Sequence, residues 1–317
     1  MAGIAGTVYN LQDRVVLITG AARGIGAAVA RRLVERGANV SLVGLEPREL
    51  EKLAGELGRR AIWSEADVTD LAAMEQAATL TAERFGGIDV VIANAGIGAT
   101  GSVLSIDPAA FDRVIEVNLL GVWRTVRACL SHVIDRRGYV LSIASVAAIV
   151  HPPGMASYAA AKAGVDAFSD SLRAEVRHRG VDVGVAYFSW LDTDLVRGAD
   201  ERPAGRLSRS RLKGPAGRTY PVSIAAAAVE RGIEQRARAV VAPRWVAALL
   251  PLRGVLGRLL EGQAARSFPD VEHVLDEEQQ RLGAVAASTP VGAGGAADTQ
   301  AAARGGGAAD TQAAARA

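Results

Sequence analysis

Short apolar runs alternate with longer stretches of helical periodicity through most of this chain, and that alternation constrains the fold more than any other feature. The apolar runs fall at residues 14–19, 39–43, 61–63, 88–93, 138–144, 181–188 and 239–241. Helical patterns occupy 24–36, 47–57 and 70–85, a long helix lies within 108–134, and another covers 157–179. Pro47 suits a first helical turn, where its missing N–H is no loss, and Asp70 suits a cap. Strands running in one direction cannot be joined by tight turns. Each needs a crossover, and such crossovers are nearly always right-handed. The prediction is an α/β chain with one doubly wound parallel sheet and helices on both faces. Half of the residues are apolar but only 4% are aromatic, so Val, Leu, Ile and Ala must build the core. A sheet buried on both faces has that composition.

Residues 1–10 read as a lead and 11–245 as the α/β domain. Within it, 195–221 is polar, basic and rich in Gly and Pro, too long for an ordinary connection, and is expected to be a lid loop. Residues 246–283 form an apolar, amphipathic helical extension. Residues 284–317 are rich in Ala and Gly, and the decapeptide GAADTQAAAR occurs at 295–304 and again at 307–316. With almost nothing large to bury, this tail is expected to be disordered. A formal charge of +2 gives no electrostatic case for nucleic acid. Cys129 is the only cysteine, so no intrachain disulfide is available. The first ten residues lack a basic run followed by an apolar core, and a cytoplasmic location is expected. His132, His151, His178 and His273 are widely separated and show no metal-ligand spacing, so no metal is expected.

The first apolar run leads into Thr19-Gly20-Ala21-Ala22-Arg23-Gly24-Ile25-Gly26. Glycines there let the backbone turn tightly and approach a pyrophosphate, which then meets the positive N-terminus of the following helix. Placed after the first strand and opening the first helix, the turn points to a Rossmann-type dinucleotide site. Further along, Tyr158 and Lys162 stand four residues apart, which on a helix sets both side chains on one face. A free tyrosine, with a pKa of about 10, is a poor base at neutral pH. A neighbouring ammonium favours the phenolate and brings the pKa down. Only Lys52, Lys162 and Lys213 are lysines, which makes the placement of Lys162 the more informative.

In the form TGxxxGIG the turn resembles that of the short-chain dehydrogenase/reductase family, and the YxxxK element of Tyr158 and Lys162 continues the resemblance. Asp67-Val68 fall where the family contacts adenine, and Asn94-Ala95-Gly96 match its NAG motif beside the cofactor. The resemblance implies that Tyr158 is the general acid and base and that Lys162 also holds the nicotinamide ribose. Ser145, thirteen residues before Tyr158, would hold the substrate oxygen and stabilise its developing charge. Asn118 would seat a water next to the lysine and complete a proton relay. Leu191 and Thr193 fall at cofactor contacts, Thr193 at the carboxamide. The match covers about 11–195, more loosely to about 242, and departs at Ser189-Trp190, where the family usually has Pro-Gly. Trp190 is therefore a candidate substrate wall. Gly44 stands where a carboxylate selective for NAD would end the second strand. Arg23 suits a 2′-phosphate, so NADP is expected, with NAD as the alternative if Glu46 reaches the ribose instead.

The implied activity interconverts a secondary alcohol and a ketone by hydride transfer. Substrate and cofactor are then small molecules, and the family implies a homodimer or homotetramer. A hydrolase using Ser145 and His151 is disfavoured, because no serine sits in GxSxG. A non-catalytic dinucleotide sensor is the other rival, and it would have no use for the Tyr158/Lys162 pair. Trp245, Ala248, Leu249, Leu252, Val255, Leu256 and Leu259 form an apolar stripe with Arg244, Arg253 and Arg258 nearby. The stripe is expected over the substrate pocket or against a neighbouring subunit, in preference to a peripheral membrane contact. Apolar cover of this kind argues for a lipophilic substrate.

Overall fold

The computed structural model describes residues 9–292. Every expected run is a strand: β1 Val15–Thr19, β2 Asn39–Gly44, β3 Ala61–Glu65, β4 Val90–Ala93, β5 Tyr139–Ile143, β6 Asp182–Phe188 and β7 Ala239–Ala242. They form one parallel sheet in the order β3-β2-β1-β4-β5-β6-β7. Its direction of winding reverses between β1 and β4, the place where such sheets bind ligands. The central strands β1, β4 and β5 are buried along their whole length, whereas edge strand β3 leaves Trp63 37% exposed.

Helices α1 (Gly24–Glu35), α2 (Pro47–Leu57), α3 (Leu71–Phe85), α4 (Pro108–Ile115), α5 (Gly121–Asp135), α6 (Ala147–Val150) and α7 (Ala156–Val176) fill the crossovers. The side chain of Asp70 caps α3 by accepting from the Ala72 and Ala73 amides. Between α4 and α5 the chain widens into a π-helical turn, Glu116–Leu120, of the kind that often marks functional sites. It carries Asn118 into the interior. A helix that the periodicity did not single out, α10 (Val222–Glu234), packs on α1 through Ala225, Ala226, Val229 and Ile233. Its alanines allow close approach but carry little hydrophobic contrast.

Two expectations are corrected. Residues 195–221 are not a loop: α8 (Asp194–Glu201) and α9 (Pro203–Ser210) occupy most of the segment, followed by a 3-10 turn at Gly214–Gly217. Its arginines are paired, some within the segment and two to the chain beyond it. Arg197 pairs with Asp192 and Asp194, Arg209 with Asp200, and Arg211 with Asp270. Arg202 donates to the carbonyls of Ala287 and Thr289. The second correction lies at those carbonyls, because 284–292 is ordered chain. The long helix α11 (Arg253–Leu282) leads into α12 (Ala284–Ser288), and Val291 then forms an antiparallel bridge with Gly98. The Asp107 amide donates to Ser288 Oγ at 2.9 Å. Backbone groups and small side chains make these contacts, so composition could not show them. The repeats at 295–304 and 307–316 and residues 1–8 lie outside the described residues. Among the described residues no helix is long and apolar enough to cross a membrane.

Candidate active site

The glycine turn is held to the end of β4 by Asn94. Its Nδ2 donates to the Thr19 and Gly20 carbonyls at 2.9 and 3.1 Å, while the Asn94 and Ala95 amides donate to Thr19 Oγ1. Close approach forces the residue type: Gly20 has φ +62° and a Cβ there would lie 2.9 Å from Ala95 Cα. A Cβ at Gly26 would lie 2.4 Å from the Gly20 carbonyl oxygen. Arg23 at the N-cap of α1 supplies no side-chain hydrogen bond, and no acidic residue stands in the first turn. The free amides of that turn therefore remain available, with the positive end of the helix dipole, for an anionic ligand.

These elements line one cleft. Gly20, Ala22, Arg23, Gly24, Ile25, Asp67, Val68, Asn94, Ala95, Gly96, Leu191 and Thr193 all face it. Thr19 and Gly26 stand behind it, Thr19 as the hydrogen-bond hub and Gly26 as the tight helix start. Ser145, Tyr158 and Lys162 line the same cleft from β5 and α7. The residues present thus fit a dinucleotide: a glycine cradle, an uncapped helix N-terminus and polar groups at the far end.

Within the cleft Ser145 and Lys162 are buried and Tyr158 is half-buried. Ser145 is 8% and Lys162 3% exposed. Burial pushes the Tyr158 phenol above its ordinary value, with a hydrogen bond between Tyr158 and Ser145 pulling the other way. Lys162 Nζ donates to the Ile143 carbonyl at 2.9 Å, and burial lowers its pKa to about 8. The expected lowering of Tyr158 by this ammonium is not found. Nζ sits 5.7 Å from the phenol ring centroid and is turned to Ile143.

Asn118 does not line the cleft. Its Oδ1 accepts from the Ile97 amide at 2.9 Å and its Nδ2 donates to the Ile97 carbonyl at 2.7 Å. The side chain thereby fixes the loop that carries Gly96. Trp190 does not reach the cleft either: Ser189 lines it, whereas Trp190 lines a neighbouring apolar cavity under the Arg209 guanidinium, 5.1 Å from its ring centroid.

Several cleft residues escaped the sequence reading. Arg113 lines it and bonds Asp67 at 3.0 Å, and Leu195 and Gly292 close it from α8 and the C-terminal segment. For Asp67, burial raises the carboxyl, but hydrogen bonds from Thr69 and Arg113 outweigh this and leave it lowered. Near β2, Arg23, Gly44 and Glu46 lie together. Arg23 also contacts Asp194 at 3.5 Å, and Glu46 Oε1 is buried with no hydrogen-bond partner among the described residues. Burial raises the Glu46 carboxyl, and the Arg23 charge opposes this.

Comparison with known proteins fits this geometry. The family profile described as short chain dehydrogenase matches residues 14–204. A 3-oxoacyl-[acyl-carrier-protein] reductase of Escherichia coli (strain K12) is 34% identical over 211 residues, covering 66% of this chain and 85% of the relative. A cis-4-hydroxycyclohexanecarboxylate dehydrogenase of Sinomonas cyclohexanicum is 36% identical over 210 residues, covering 62% and 84%. Among solved structures, a 3-ketoacyl-(acyl-carrier-protein) reductase from Brucella melitensis complexed with NADH superposes with a TM-score of 0.64 at 27% identity, covering 73% of this chain and 97% of that one.

Proposed function

The chain belongs to the short-chain dehydrogenase family, and on that premise we propose that Tyr158 is the general acid and base of its reaction. The protein is an NAD(P)-dependent oxidoreductase that interconverts a small-molecule alcohol and a ketone. The bound nicotinamide supplies or takes up the hydride. In reduction, a C–H bond forms at the carbonyl carbon, the C=O pair moves onto oxygen, and the Tyr158 hydroxyl gives that oxygen its proton. Ser145 hydrogen-bonds the same oxygen and stabilises charge as it develops. Lys162, held by the Ile143 carbonyl at the same cleft, would bind the nicotinamide ribose. Asn118 acts through Ile97 as a positioning residue.

One observation carries this reading: Ser145, Tyr158 and Lys162 converge on the cleft formed by the glycine turn. For the coenzyme, Gly44 and Arg23 support NADP, whereas the unpartnered Glu46 oxygen supports NAD. We take NADP as the working choice. The apolar surroundings of Leu195 and Trp190 support a lipophilic substrate.

The test is a screen of secondary alcohols and ketones with both coenzymes, followed by nicotinamide absorbance. Turnover of apolar ketones is expected. Coenzyme binding without turnover of either substrate class would leave the sensor reading in its place.

A further inference from the structure

We propose that the apolar chamber beside the cleft holds an alkyl chain of the substrate about ten carbons long, with α11 as the wall that sets its length; this rests on the alcohol–ketone reading above. The chamber has a volume of about 260 Å³. An apolar cavity of about 150 Å³ takes up benzene, so simple scaling gives room for roughly ten carbons. Its floor is the small cluster of buried Ala204, Val271 and Leu275 with Phe268 packed against them. Leu195 lines both this chamber and the catalytic cleft, so the two spaces meet at one side chain. On the other side, exposed Ser208, Leu212 and Gln263 mark a mouth to solvent.

Charge decides what such a space accepts. Two charged residues line it, Asp200 and Arg211, and each is spent on a partner of its own: Asp200 on Arg209, Arg211 on Asp270. A charged tail would find no free counter-charge, while a methylene chain needs none. The wall also lies outside the part of the chain that the family profile matches. The family profile ends at residue 204, whereas Ala264, Phe268, Val271 and Leu275 all belong to α11.

The experiment is a series of methyl ketones from 2-butanone to 2-pentadecanone, with kcat/KM measured on the full chain and reduced coenzyme. Each added methylene should raise kcat/KM about threefold to fourfold, until the chain fills the chamber and the curve flattens. Ala264→Phe should move the plateau several carbons shorter, and Phe268→Ala should move it longer. Opposite shifts cannot both come from loss of fold. A second readout is independent of turnover: calorimetric titration of the Tyr158→Phe holoenzyme with 2-undecanone, expected to show a negative heat-capacity change that Ala264→Phe diminishes. Chain-length-dependent binding with no turnover of any ketone would uphold the chamber and sink the oxidoreductase reading. Turnover that is flat along the series, with plateau and binding unmoved by both variants, would overturn the chamber.

Discussion

Replacing Lys162 by methionine should make the protein more stable at neutral pH while abolishing turnover. The lysine is 3% exposed, and its ammonium has the Ile143 carbonyl as its hydrogen-bond acceptor. Burial moves its pKa from the ordinary 10.5 down to about 8. At 1.36 kcal/mol per unit, the folded state disfavours the charged form by about 3 kcal/mol. Losing the hydrogen bond to Ile143 offsets about 1–2 kcal/mol, leaving methionine ahead by about 1–2 kcal/mol. The sign follows from proton linkage. Between pH 8 and 10.5 the unfolded chain keeps a proton that the folded lysine has released, so the wild-type protein gains stability as pH rises through that window. Below it the full penalty applies. The advantage of methionine should therefore be complete at pH 7 and shrink by about 2 kcal/mol at pH 9.5. Urea denaturation of both proteins at the two pH values measures it. A methionine variant less stable at pH 7, or a gap that ignores pH, would refute the reasoning.

Tyr158→Phe should keep coenzyme binding and lose turnover by roughly 10²–10⁴-fold, since the ring remains and the proton carrier goes; comparable kcat would sink the mechanism. Arg23→Ala should weaken NADPH by about 1.5–3 kcal/mol and NADH little, as a charge-assisted contact to the 2′-phosphate is lost. Glu46→Gln should tighten NADPH by removing a like charge from the same end of the cleft, and fluorescence titrations with both coenzymes check the pair. Ending the chain after Gly283 removes α12, the Val291 bridge and the carbonyl partners of Arg202. Faster hydrogen exchange across 194–210 and a raised KM are expected; unchanged exchange there would mean that the segment is not a tether.

What could be read from the sequence was local. Strand and helix periods, the glycine turn, and the Tyr158/Lys162 spacing each depend on a few neighbouring residues, and the structure brings Ser145, Tyr158 and Lys162 to one cleft. Asn118 could be placed by its motif, but its side-chain hydrogen bonds to the Ile97 backbone could not be read. The coverings were unreadable for a related reason. An arginine beside polar residues looks solvated unless its partner is known, and Arg211 finds Asp270 from 59 positions away. Arg202 finds carbonyls 85 and 87 positions away. Trp190 was expected as a substrate wall from its neighbours in sequence, and Arg209 and the chamber set which space it lines.

The same division separates what is rigid from what can open. The coenzyme half is buried strand, with Thr19, Asn94 and Asn118 bonded to backbone on elements that cannot separate without unfolding the sheet. The substrate half is closed by α8, α9 and the segment beyond α11, and much of its attachment is ionic and partly exposed. Arg211, which reaches α11, is 30% exposed against Asp270 at 71%. Exposed pairs of this kind contribute about 0.2–1 kcal/mol each. Releasing them requires far less than global unfolding, typically about 5–15 kcal/mol. Opening of α8 and α9 ahead of the sheet is therefore expected, with hydrogen exchange faster across 194–210 than in β1 and β4; equal protection would refute it.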